Sequence, residues 1–108
     1  MRRGRRSKAA RLRFATTFGS GERVRWMQQL NCCACGRSPC EVAHIKSRGA
    51  GGTVEDTVPL CPLCHRRQHN EGIKTFAAFH GLDLEEEAAK YSEWWTNGLR
   101  TGDFDLGF

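Results

Sequence analysis

The sequence contains no long hydrophobic run. No stretch approaches the roughly 20 consecutive apolar residues of a membrane-spanning helix. The first 20 residues also lack the continuous apolar segment of a secretory signal peptide. We therefore expect no membrane association and a cytoplasmic, intracellular location, where thiols are held as metal ligands. A secreted disulfide scaffold and an Arg-rich organelle-targeting arm remain alternatives at this point.

Acidic residues are scarce over residues 1–82, which carry 15 Lys and Arg but only 5 Asp and Glu, a net charge of +10. Residues 83–108 carry 2 basic and 7 acidic residues, a net charge of −5. A basic region of this size predicts a polyanionic partner, with nucleic acid as the first candidate. Residues 1–13 hold seven basic residues and no acidic one, so we predict a flexible basic arm that follows a phosphate backbone.

The chain is also poor in hydrophobic residues, at 39% of 108 residues, which allows one domain with a small core. Small cores usually need a metal or disulfides. All six cysteines lie between Cys32 and Cys64, and two C-x-x-C pairs stand out, Cys32/Cys35 and Cys61/Cys64. Four thiolates in this arrangement predict a closed, structural zinc site. Of the spare cysteines, Cys33 could replace Cys32 only by breaking the spacing.

The stretch from Cys32 to His69 contains three of the four histidines. Pro62 suits the first turn of a helix, so His65 and His69, at positions i and i+4, should share one helix face. His44 lies in a predicted strand, before a glycine-rich loop over residues 47–53. Imidazole pairs bind divalent metals, and an imidazole titrates near neutrality, as a general base requires. The alternative is that each histidine is an ordinary core or surface residue, as we expect for His80.

The hydrophobic periodicity and the positions of glycine and proline predict an α+β fold. We expect helices over residues 21–30, from Pro62 to Gly72, before Gly81 and before Gly98, and strands over residues 41–45 and 54–60. Trp26 is predicted to lie in the core.

The order C-x-x-C, VAHI, glycine loop, VPLC-x-x-C-H and a final His resembles the HNH endonucleases of the ββα-metal class. The segments FGSGERVRWMQQL and GIKTFAAFHGLD resemble those of small phage or prophage members, so the likeness spans roughly residues 14–95. It implies a zinc-stabilised HNH module flanked by helices over residues 14–98, followed by a tail over residues 99–108. It also implies metal-dependent hydrolysis of phosphodiesters in double-stranded DNA by a bacterial or phage-encoded protein.

Residue by residue, the resemblance implies that His44 is the base that activates water, and that His65 and His69 bind the catalytic metal. Asp56 occupies the middle position of the motif, where it would brace the loop behind His44 or reach the metal. Ala43 stands where many members have a metal ligand, so Asp56, Glu41 or water would substitute there, or the metal would bind weakly. A site dominated by histidine should prefer Mn²⁺, Co²⁺ or Ni²⁺ over Mg²⁺.

Arg48, Arg66 and Arg67 are candidates for phosphate contacts, with solvated surface as the alternative for each. A single site predicts nicking of one strand by a monomer or weak dimer. Sequence specificity should be low, because no recognition helix is evident. Two other functions remain open: a non-catalytic, zinc-stabilised DNA-binding module, and a C-x-x-C redox protein, although the chain lacks the βαβ pattern of the latter.

Overall fold

The computed structural model describes residues 7–98, apart from the side chain of Arg48. Its helices are α1 (Lys8–Phe18), α2 (Gly21–Gln28), α3 (Pro62–Glu71), α4 (Ile73–His80) and α5 (Leu84–Thr96), and its strands are β1 (Glu41–His44) and β2 (Thr57–Leu60). The fold is thus a small α+β fold, as predicted. No helix within residues 7–98 is long and apolar enough to cross a membrane. The predicted tail over residues 99–108 lies outside the described residues.

Helix α1 departs from the predictions, because it begins at Lys8, inside the range 1–13 expected to be a flexible arm. The segment is rich in Ala and Arg and free of Gly and Pro, and Ser7 caps it by accepting a hydrogen bond from the backbone N–H of Ala10. Helix propensity and capping therefore outweigh the repulsion between its basic side chains. Residues 1–6 lie outside the described part of the chain.

The other helices begin and end close to the predicted positions. Ser20 caps α2, Cys61 caps α3 and Asp83 caps α5, each through a side chain that accepts from a backbone N–H three residues on. Pro62 occupies the first turn of α3, as predicted, and Gly72 ends that helix.

Strands β1 and β2 form an antiparallel pair in which Ala43 lies opposite Val58 and His44 opposite Thr57. The second strand is shorter than predicted, because residues 54–56 form a 3₁₀ turn. Thr53 and Asp56 cap this turn reciprocally, and the Asp56 carboxylate accepts from the backbone N–H of Thr53 at 2.9 Å. The capping box thus holds the segment as a turn that enters β2.

The core lies between the sheet and the helices, and its largest fully buried side chains include Phe76, Met27, Leu60 and Val58. Trp26 is buried, as predicted, and its ring lies 5.4 Å from that of Trp95. Helix α2 packs on β1, and α5 packs on β2. Alternation along β1 places Ala43 in this core, so its neighbours Val42 and His44 face the opposite side of the sheet, as predicted.

Candidate functional site

The first candidate site is a cluster of four cysteine side chains. The sulfur atoms of Cys32, Cys35, Cys61 and Cys64 all lie within 4.8 Å of one another. The Sγ atoms of Cys35 and Cys61 are 3.6 Å apart, close to the edge of about 3.8 Å that a tetrahedron of sulfurs has around zinc. The four cysteines can therefore hold a structural metal such as zinc. Cys33 is not part of the cluster, so the ligand spacing is that of the two C-x-x-C pairs.

Local backbone geometry favours a thiolate at Cys32. Burial alone would raise the pKa of Cys32, but hydrogen bonds from backbone N–H groups outweigh burial and lower this pKa to about 7. Two of these donors, Ala34 and Cys35, lie 3.4 and 3.5 Å from the sulfur. The backbone N–H groups of Cys61, Cys35 and Ala34 together thus favour the anionic form of Cys32 that metal binding requires.

The second candidate site is a histidine pair on α3, which begins at the cysteine cluster. The Nε2 atoms of His65 and His69 lie 3.2 Å apart. Two nitrogen ligands about 2.1 Å from one ion and at a right angle would lie about 3 Å apart, so the pair has the spacing of adjacent metal ligands. The prediction that these histidines share one face of a helix is confirmed.

Glu41 supports this pair from β1. Its Oε1 lies 2.8 Å from Nδ1 of His65. A carboxylate accepts only, so Nδ1 carries the proton and the lone pair of the neutral ring is on Nε2, which faces His69. A carboxylate behind an imidazole in this way orients the ring and strengthens it as a metal ligand. The structure therefore places Glu41 behind a candidate ligand rather than in the position left by Ala43.

The third feature is the orientation of His44. Its Nε2 lies 2.9 Å from the backbone carbonyl oxygen of Thr17, in the last turn of α1. A carbonyl oxygen only accepts, so Nε2 donates, and the lone pair of the neutral imidazole is on Nδ1. The ring of Phe18 packs edge-on against that of His44, with centroids 5.4 Å apart. Helix α1 therefore sets both the tautomer and the position of this ring.

His44, His65 and His69 line the same open groove, of about 770 Å³. Val42 and Ile73 contribute apolar walls, and the groove is also bordered by Phe18, Ser47, Gly49, Gln68 and Gly72. The structure thus brings the three histidines to one cavity. It does not add a third ligand to the histidine pair. Within residues 7–98, the metal-ligating side chains that cluster in groups of three or more are the four cysteines, and the histidines are not among them.

Asp56 lies away from this groove. Its carboxylate is bound to Thr53, and its backbone carbonyl accepts from the N–H of Ile45 at 2.8 Å. This geometry braces the chain directly after His44, which is one of the two roles expected for Asp56. It does not support the other role, direct metal binding, because Asp56 borders a separate cavity with Ile45 and Glu85.

Two of the candidate phosphate-binding arginines, Arg66 and Arg67, do not border the histidine groove. The guanidinium of Arg67 pairs with Glu71 at 3.0 Å and lies over the ring of Phe79. Arg66 is exposed on α3. The side chain of Arg48 lies outside the described part of the structure.

His80 behaves as a structural residue, as predicted, since its ring packs against those of Phe76 and Phe79.

Comparisons with protein-family models, with curated proteins and with solved structures give no match. The chemistry of the site must therefore be argued from its own geometry. That geometry includes two contributors that sequence reasoning did not single out: Thr17, which acts through its backbone and carries no side-chain signal, and Gln68. Gln68 follows His65 by three residues, so helical spacing alone would place it on the same face.

Proposed function

We propose that this protein is a metal-dependent endonuclease of the HNH type, which hydrolyses phosphodiester bonds in DNA. The observation that carries the proposal is the shared groove of His44 and the His65/His69 pair. A general base and a metal-binding pair on facing elements are the two components that hydrolysis of a phosphodiester requires.

The histidine pair would hold the divalent metal. The separation of 3.2 Å between the two Nε2 atoms fits adjacent ligands, and Glu41 directs the lone pair of His65 toward that position. A divalent metal held there would supply Lewis-acid chemistry for the charge that develops on the phosphate and on the leaving oxygen. Two histidines leave further coordination positions for water and substrate, so the absence of a ligand at Ala43 is compatible with this role.

His44 would act as the general base. Because its Nε2–H donates to Thr17, Nδ1 is the nitrogen that accepts a proton from the attacking water. Proton uptake makes the ring an imidazolium, whose Nε2–H then points at the C-terminal end of α1. Carbonyl groups there carry partial negative charge, which stabilises a nearby cation by about 0.3–1 kcal/mol at an exposed site and up to about 2 kcal/mol when partly buried. Helix α1 thus favours the protonated form that the reaction produces.

A zinc ion at the four cysteines would fix the relative positions of these parts. Cys61 caps α3, Cys64 lies in the first turn of that helix, and His65 follows directly. The other two cysteines, Cys32 and Cys35, lie in residues 29–40, which form no helix or strand and lead into β1. An ion held by all four would connect the start of the His44 strand to the start of the His65/His69 helix. Its role would be structural, since four thiolates complete a tetrahedral site.

The test is a nicking assay on supercoiled plasmid with added Mn²⁺, Co²⁺, Ni²⁺ or Mg²⁺. We expect the open-circle form to accumulate before the linear form, because one site cuts one strand at a time. His44→Ala should lower the rate by about 10²- to 10⁴-fold, the usual contribution of a general base. His80→Gln is the matched control, because His80 lies outside the groove and should leave the rate within a small factor of the unmodified protein.

Each variant is compared only if its zinc content and helicity match those of the unmodified chain. Cleavage that survives His44→Ala would refute the assignment of the base. A chain that binds DNA but cleaves no substrate with any of the four metals would instead be a non-catalytic DNA-binding module. Direct conversion of supercoiled to linear plasmid at low protein concentration would contradict action by a monomer.

A further inference from the structure

A second groove adjoins the histidine groove. It has a volume of about 810 Å³ and lies between α1 and the glycine-rich loop. Its lining includes Arg13 and Thr16 from α1 and Gly51 and Thr53 from the loop. Phe18 and Gly49 border both grooves, so the two cavities meet at these residues.

The charges around the two grooves favour an anionic occupant. Among the described residues that line them there is no Asp or Glu. Arg13 is exposed in the second groove, and the ammonium group of Lys46 lies beside Gly51. The cavity between α5 and the 3₁₀ turn is the opposite, because it is lined by Glu55, Asp56, Glu85 and Glu93. A polyanion would be attracted to the first two grooves and repelled from the third.

The backbone of the loop leaves the junction of the two grooves open. A side chain at Gly52 would collide with the backbone carbonyl of Lys46, so this glycine is needed for the loop to close on itself. A Cβ at Gly49, in contrast, would meet no atom within 4 Å. The absence of a side chain at Gly49 is therefore not required by the fold, and it keeps the passage between the grooves clear.

We propose that the two grooves form one continuous track for one strand of a DNA duplex. The strand crosses Gly49, with the scissile phosphate in the histidine groove and the neighbouring phosphates between α1 and the loop. Arg13 and Lys46 contact these neighbouring phosphates, and the hydroxyl group of Thr16 provides a further donor. The inference rests on the proposed nuclease function, since it describes how the substrate of that site is held.

The test measures binding separately from cleavage. The full chain carrying His44→Ala is titrated, without divalent metal, against a short fluorescent DNA duplex, and anisotropy is followed over a range of salt concentrations. Arg13→Gln and Lys46→Gln should each reduce the slope of log K against log [salt] by about 0.9, as expected for the loss of one phosphate contact. Lys74→Gln, which removes an exposed charge from α4 outside both grooves, should leave the slope unchanged.

Gly49→Leu tests the passage itself. We expect it to weaken binding about ten-fold or more, because the new side chain fills the junction of the grooves. Ala78→Leu, at an exposed position on α4, is the matched control and should bind like the parent. Unchanged salt slopes for Arg13→Gln and Lys46→Gln, or normal binding by Gly49→Leu, would overturn the track.

The failure of the track and the failure of the nuclease are distinguishable. If the unmodified chain cleaves plasmid while Arg13, Lys46 and Gly49 have no effect on binding, the track is wrong and the nuclease assignment stands. If these variants weaken binding as expected but no metal supports cleavage, the track is correct and the chain is a DNA-binding module.

Discussion

Removal of the metal from the four-cysteine cluster should unfold most of the protein. The perturbation is either chelation of the purified chain or the substitution Cys64→Ser. Cys64 is buried in the first turn of α3. Loss of the ion would release residues 29–40, which have no helix or strand of their own, and would free the start of α3.

The magnitude decides between unfolding and local fraying. A structural zinc ion contributes about 10–16 kcal/mol of apparent folding free energy in zinc-finger peptides near neutral pH. A chain of 108 residues has a total stability of about 5–16 kcal/mol, at roughly 0.05–0.15 kcal/mol per residue. The contribution of the metal is thus as large as the whole stability of the fold. We therefore expect a cooperative loss of helicity, rather than a disturbance limited to the cysteines.

Circular dichroism measures helicity during chelation and after zinc is restored. Elemental analysis measures the zinc content of the same samples. We expect one zinc ion per chain, loss of most helical signal when it is removed, and recovery when it returns. Cys33→Ala is the matched control, because Cys33 is adjacent in sequence to a ligand but lies outside the cluster. A metal-free chain that keeps its helicity and melts cooperatively near the temperature of the metal-bound chain would refute the reasoning.

Three further predictions concern the histidine pair, its neighbour Glu41 and the buried Tyr91. The histidine pair should make cleavage faster with Mn²⁺ than with Mg²⁺ at equal concentration, because magnesium prefers oxygen ligands. The plasmid assay with each metal in turn checks this prediction. Fastest cleavage with Mg²⁺ would contradict it. Glu41→Gln should weaken Mn²⁺ binding by about 10- to 100-fold, because the amide no longer supports His65 as a carboxylate does. Titration calorimetry of the zinc-loaded protein measures the affinity for Mn²⁺. An unchanged affinity would show that Glu41 does not support His65 as a metal ligand. Burial raises the pKa of Tyr91, with smaller contributions from the charges of Cys33 and Glu87. The neutral phenol therefore stabilises the fold fully below pH about 10, and this stabilisation is lost as the pH rises through the folded-state pKa. Tyr91 is the single tyrosine, so ultraviolet absorbance during alkaline titration reports on it directly, and ionisation at the ordinary value in the native state would be inconsistent with its burial.

Local signals in the chain were sufficient for much of the architecture. Ser20, Pro62 and Gly72 mark helix ends through capping and backbone restriction, which act over a few residues, and the structure places them where those rules require. Each of the two C-x-x-C pairs follows from spacing for the same reason, since a C-x-x-C turn is a local geometry. The segments that differ from the sequence predictions are α1 and the turn over residues 54–56. There, capping by Ser7 and by the Thr53–Asp56 pair outweighed the charge and hydrophobic patterns.

The sequence by itself determined the helices and strands of the α+β class, the two C-x-x-C pairs and the shared face of His65 and His69, because each depends on residues close together in the chain. Only the tertiary structure decided the surroundings of His44. Its tautomer depends on the backbone carbonyl of Thr17, 27 positions earlier in the chain, and no side-chain pattern encodes a backbone acceptor. The placement of Glu41 behind His65 and the meeting of the two grooves at Gly49 likewise depend on how distant elements pack together.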